Sequence, residues 1–241
     1  MSNISQVLSA ADITEVTSDK LHTLGTVGQT ADGRKFKYAK AGATLLAAGK
    51  LAVAADADAN VVNKAVTAAA AIGSKEVKLT AGGAVAADAY ADGMLQVNDA
   101  TGEGYTYRIV GNTAGTAGNS YAVTVRLAEP IQVALVATTS EISLYKNDFD
   151  GLVISAVDQA DLPVGVPVVP IAAGSYGWVQ TFGIAAVLAD EAVTRGQTVT
   201  IGTGVAGAVE AADLIGEPAI GIAAQALIDT EYSPVFLTLG A

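Results

Sequence analysis

Three glycines with chemistry-bearing spacing stand near the end of the chain. In TVTIGTGVAGAVE (198–210), Gly202, Gly204 and Gly207 fall in the pattern G-x-G-x-x-G directly after a β-like run. Such a loop can cradle a pyrophosphate when it follows the first strand of a βαβ unit and opens an amphipathic helix. Here 34 residues follow Gly207, and Pro218 arrives eleven residues after it. That is too short for a crossover helix and a second strand, so a glycine-rich turn flanking a strand is the better reading.

The other reactive groups are few. His22 is the sole histidine, so any Ser-His-Asp relay would have to use it, and no G-x-S-x-G elbow accompanies it. DADAN (56–60) begins like a calcium loop, but Val61 and Thr67 occupy the places that need glycine and glutamate. NDFDG, with Asp148 and Asp150, is a similar case; both read as solvated turns. Further acids (Asp88, Asp92, Asp99, Glu103) fall in turns as well, and a glycosidase pair is defined by a spatial separation that sequence does not supply. No catalytic residue, cofactor or metal ligand is assigned. Trp178, the only tryptophan, stands in SYGWVQTFG with Tyr176 and Gln180 on its face of a strand. It suits a core anchor or a subunit or partner contact.

Composition narrows the field. Of 241 residues, 51% are hydrophobic, but alanine supplies much of that, and only 5% are aromatic. A fold of Ala, Val, Gly and Thr gains little per buried side chain and would benefit from burying surface against a partner. The net charge is −11, with 13 basic residues thinly spread, so neither nucleic acid nor an anionic membrane is an expected partner. Cysteine is absent, which excludes disulfides and thiolate chemistry. The polar N-terminus does not read as a signal peptide, and no apolar run is long enough to span a bilayer.

The elements that must position these residues read as short strands. HTLGTVGQTADGRKFKYAKAG predicts a hairpin turning at Asp32-Gly33, with Phe36 and Tyr38 alternating with Lys35, Lys37 and Lys40. KEVKLT, LQVND, GEGYTYRIVGN and NSYAVTVRLAEP follow as strands, then GLVISAV, GWVQTFG, QTVTIG, EPAIGIAAQAL and SPVFLTLG. VVNKAVTAAAA permits helix or strand. Turn signals about every ten residues point to an all-β, mainly antiparallel sandwich or barrel with few or no long helices. Four segments are expected: a polar arm over 1–20 with a helical turn after Ser9, a base segment over 21–59, an inserted or second β-rich domain over 60–145, and a C-terminal β domain over 146–241. The arm is either frayed or docked on a partner. AGATLLAAGKLAV (41–53) and IAAVLADEAVTRGQTVTI (184–201) share a plan, an Ala/Leu stretch, then Gly49 or Gly196, then an apolar strand.

The order of phrases resembles the capsid decoration (cement) proteins of tailed-phage heads. The matching phrases are LGTVGQTADGRKFKYAKAGATLLAAGKL, AYADGMLQVNDATGEGYTYRIVGN, and GSYGWVQTFGIAAVLADEAVTRGQ followed by IGEPAIGIAAQ. The resemblance implies a non-enzymatic virion protein on the outer capsid surface. It implies a homotrimer that binds a major capsid protein of HK97 fold. An N-terminal arm is often part of that contact, which makes Ile4, Val7 and Leu8 candidates here, with Tyr176 and Trp178 as further interaction candidates. A head-fibre, tail or receptor-binding virion protein is the alternative reading, and a hydrolase built on carboxylates a lesser one.

Overall fold

The computed structural model describes residues 6–157, 159–213 and 216–240. Seventeen strands run in chain order as β1 (Gln6–Leu8), β2 (Val27–Thr30), β3 (Lys35–Ala41), β4 (Ala52–Val53), β5 (Lys64–Ala65), β6 (Glu76–Thr80), β7 (Met94–Asp99), β8 (Thr106–Asn112), β9 (Ala122–Leu127), β10 (Glu141–Tyr145), β11 (Asp150–Ile154), β12 (Pro163–Pro167), β13 (Tyr176–Leu188), β14 (Thr198–Ile201), β15 (Val209–Ala211), β16 (Gly221–Ala223) and β17 (Tyr232–Thr238). The helices among the described residues are three-residue 3₁₀ turns. The protein is all-β, and none of its described helices is long and apolar enough to cross a membrane. The chain divides into two compact units, one formed by residues 1–55 with 148–241 and the other by residues 56–147, beside the block expected over 60–145.

In the first unit, β3, β11, β4, β12 and β13 pair in turn, and β13 pairs back onto β3, so five strands close a ring. Small side chains fill it: Ala39, Ala41, Ala52, Leu152, Val164 and Val179. Closure removes unpaired edges, and the narrow interior suits alanine and valine. β13 then leaves the ring. Its register shifts between Gln180 and Phe182, Gly183 turns at φ +89, and the strand continues against β17. The sheet extends through β16, β14 and β15 over a second core that includes Val187, Val199, Ile201, Val235 and Leu237.

The second unit orders its strands β5-β10-β7-β8-β9-β6, and a bridge from Val66, just past β5, to Leu79 in β6 links the ends. Its core is richer in large residues, among them Tyr90, Leu79, Leu95, Ile109 and Ile142. VVNKAVTAAAA, open to helix or strand from sequence, is β5 followed by a loop.

One loop design recurs in both units. A buried residue makes an isolated antiparallel bridge to its counterpart in another loop, and three residues later the backbone turns left-handed. The pairs are Leu46 with Ile171 and Val193 with Leu227 in the first unit, and Ala70 with Leu135 in the second. The residues three places on are Gly49, Gly174, Gly196, Thr230, Gly73 and Thr138, all at φ between +62 and +89. In the first pair, the Leu46 and Ile171 N–H groups each donate to the other's carbonyl at 2.9 Å. Gly49 N–H donates to the Pro167 carbonyl and Gly174 N–H to the Gly42 carbonyl, both at 2.9 Å. The other two pairs repeat these four bonds at 2.7–3.3 Å. A fourth pair, Val85 with Gly115, keeps the reciprocal bonds and the left-handed residue on one side (Asp88, φ +55). Its other side carries a 3₁₀ turn, Ala117–Asn119. The two stretches whose likeness is legible in sequence, 41–53 and 184–201, contain two of these loops, those that turn at Gly49 and Gly196.

Candidate functional site

The glycine loop is already occupied. β14 and β15 form an antiparallel hairpin around it, with Ile201 opposite Val209. Into the loop projects the carboxylate of Asp190, which accepts the Gly204 N–H at 2.6 Å. A Cβ on Gly202 would lie 2.9 Å from Asp190 Oδ2, and one on Gly204 3.0 Å from Oδ1. Glycine suits both places because an internal carboxylate approaches the backbone, and a side chain at either would push Asp190 aside. Beside it Glu210 accepts from Thr203, N–H and hydroxyl alike, at 2.9 Å. Gly207 serves a separate purpose: it turns at φ +79 and ties the hairpin to Leu51 and Ser155 by backbone bonds. Anions do favour such loops, and here the anion is the chain's own side chain.

Several other acids are likewise engaged. Asp58 caps a 3₁₀ turn through the Asn60 N–H at 2.9 Å and accepts the Tyr90 hydroxyl at 3.0 Å. Burial, then that carboxylate, pushes the Tyr90 phenol above its ordinary value of 10. Asp32 accepts from the Thr30 hydroxyl and, at 2.8 Å, from Arg34 Nε, and both bonds hold its carboxyl below the usual carboxylate range. Asp88 meets Arg126 at 3.1 Å, and Asp99 accepts the Ala100 N–H at 2.7 Å. No group of three or more potential metal ligands occurs among the described residues.

One aromatic cluster lies in the first unit. Trp178 is 3% exposed and packs with Leu8, Ile13, Leu24, Phe36 and Tyr38. His22 joins them edge-on to Tyr38 at 5.0 Å and tilted to Trp178 at 5.6 Å, with Gln6 Nε2 at 3.2 Å from its Nδ1. The histidine therefore sits in an aromatic nest; among the described residues its hydrogen-bond contact is Gln6, while Asp12 acts on it only through space.

What covers Trp178 is the N-terminal segment. β1 runs parallel to β2, pairing Gln6 with Gly28 and Leu8 with Thr30. Thr17 and Tyr176 exchange backbone bonds at 3.0 and 2.8 Å. The helical turn expected after Ser9 is the 3₁₀ turn Asp12–Thr14, fastened by Asp12 Oδ2 on the Ser9 N–H at 2.7 Å and hydroxyl at 2.6 Å. A frayed or partner-docked arm was one reading of residues 1–20; over its described part the segment docks on its own unit. Gly28 makes this possible: a Cβ there would lie 2.3 Å from Leu8 Cδ1.

Of the expected interaction residues, Leu8 and Trp178 are thus brought together in the interior and present no face to a partner. Val7 is 87% exposed, Tyr176 is half-buried against Tyr38 at 6.0 Å, and Ile4 lies outside the described residues.

Sequence reading treats Lys35, Lys37 and Lys40 as the wet side of a strand. The structure sets each over an aromatic ring: Lys35 Nζ 5.1 Å from the Phe182 centroid, Lys37 5.4 Å from Phe149, Lys40 5.5 Å from Tyr176. Arg34 lies 5.6 Å over Phe36. Four cations in seven residues, 34–40, were the visible signal; the ring partners of the three lysines, Phe182, Phe149 and Tyr176, are distant in sequence. Comparison with protein-family models, curated proteins and solved structures finds no match.

Proposed function

We propose that this chain is a non-enzymatic structural protein of a tailed-phage virion. It decorates and stabilises the outer capsid surface by binding the major capsid protein as a trimer. The observation that carries the reading is the use to which the reactive side chains are put. Asp190 fills the glycine loop, Asp12, Asp32 and Asp58 fasten turns, and His22 packs against rings. These are the bonds of a scaffold. The phrases LGTVGQTADGRKFKYAKAG and YGWVQTFG, on which the resemblance rests, fall on β2, β3 and β13, and β3 and β13 are two of the five strands of the ring in the first unit.

The charge of −11 agrees with a place outside the shell, since an acidic surface is repelled by packaged DNA. Three linked weak contacts per trimer would raise the effective affinity by roughly 10² to 10⁴. Co-sedimentation with expanded heads lacking the protein tests the reading. Saturable binding in multiples of three supports it; a folded chain that stays in the supernatant sinks it.

A further inference from the structure

We propose that the first unit carries a binding site for a small organic acid with an apolar body, in the cavity bounded by β2, β3, β12 and the end of β17. The cavity measures about 560 Å³, within the range of small-molecule sites. Lys35 and Lys37 line it, and neither forms an ion pair among the described residues. Two lysines two positions apart on one strand, without an acidic partner among the described residues, stand out in a chain of net charge −11. Lys35 Nζ lies 5.1 Å from the Phe182 centroid and Lys37 Nζ 5.4 Å from that of Phe149, contacts that position both charges without neutralising them.

The rest of the wall suits an amphipathic anion. Phe149, Leu162, Pro163, Val164 and Leu239 supply apolar surface, and Leu162 is 55% exposed at the edge. Thr181 stands at the irregularity of β13, its hydroxyl reaching the Lys35 carbonyl at only 3.5 Å, and Gln29 adds an exposed amide. Asp148 is the one acid lining the cavity; it is exposed, so water screens it, and the lysines leave the site positive. A carboxylate between the two ammonium groups, with its hydrocarbon against Phe149 and Leu239, satisfies both halves of the lining. The site does not depend on any capsid contact.

Titration of the purified chain with 1-naphthylacetate, followed by amide NMR shifts, tests this. Saturable binding is expected, with the Thr181 and Gly240 amides shifting. Lys35→Gln and Lys37→Gln should each weaken it about tenfold, the loss of one charge-assisted contact, and the neutral 2-(1-naphthyl)ethanol should bind at least as poorly as those variants. Unchanged Trp178 fluorescence shows that the variants remain folded. Binding that the alcohol matches, binding that survives both substitutions, or absence of saturation in the millimolar range would each overturn the proposal.

Discussion

Substituting Gly28 by alanine should undock the N-terminal segment, and the cost should depend on Leu8. The new Cβ would lie 2.3 Å from Leu8 Cδ1 and 2.7 Å from its Cγ, with Trp178 Cζ3 next at 3.0 Å. Gly28 is not among the left-handed glycines, so alanine meets no backbone penalty. The clash alone decides, and Leu8 must leave. Burying a leucine contributes about 2 kcal/mol, and Leu8 is only 6% exposed, so Leu8→Ala should cost about that amount. Gly28→Ala forfeits the same burial but recovers about 0.7 kcal/mol by stiffening the unfolded chain. The double variant no longer contains the two Leu8 atoms that clash and keeps only the tight 3.0 Å approach to Trp178 Cζ3. Its loss should be near 1.5 kcal/mol, where simple addition predicts about 3 kcal/mol or more. Trp178 is the only tryptophan and lies under this contact. Denaturant titration followed by its fluorescence therefore reads this unit, and Gly28→Ala alone should shift its emission to the red. Additive losses, or an unmoved emission maximum in the single variant, would refute the account.

Three further perturbations follow from the same geometry. Asp190→Ala removes the bond to the exposed Gly204 N–H and empties the space both glycines leave, so it should cost about 0.5–1.5 kcal/mol, while Asp190→Asn retains an acceptor and should cost less; denaturant midpoints separate the two. Thr230→Gly should stabilise the first unit by about 0.5–1 kcal/mol, because a β-branched residue at φ +62 is strained and glycine is not, and a lowered melting temperature would contradict this. The Asp12 carboxyl is held below its ordinary value of 3.8 by the Ser9 hydroxyl and N–H. Its contribution is therefore present above 3.8 and lost as pH falls below that value. Trp178 emission should move to the red on acidification, and Asp12→Asn should flatten that dependence.

Strand positions were legible because period-two alternation is local. Phe36 and Tyr38 against Lys35 and Lys37 come out buried and half-buried in turn, and Asp32-Gly33 makes the turn, with Gly33 at φ +86. The glycine loop was legible as a hairpin and not as a nucleotide site, but its filling was not, since Asp190 stands 14 residues from Gly204. The docking of the first segment was hidden for a similar reason: a small residue at 28 makes room for a large one at 8, and nothing local announces that pairing. The loop pairs show the limit most clearly. Leu46 and Gly49 have a visible relationship to Val193 and Gly196, because both left-handed positions are glycine. Where Thr138, Thr230 or Asp88 takes that position the same backbone recurs without its sequence mark.

Those loop pairs also account for how so alanine-rich a chain holds a fixed shape. In the ring of the first unit the side chains are mostly alanine and valine, and each contributes little on burial. Each complete loop pair adds four backbone bonds between segments remote in sequence, and each bond contributes on the order of 1 kcal/mol net. Backbone bonds do not depend on side-chain volume, so a chain poor in large residues can use them where a leucine-rich fold would use contact area. They also constrain direction as well as distance, since each pair fixes both strands that leave it. Both units use the device, although the second, with Tyr90 and several leucines and isoleucines in its core, has less need of it. Its recurrence where packing does not demand it fits a common structural plan for the two units. A scaffold so constrained is suited to presenting a fixed surface.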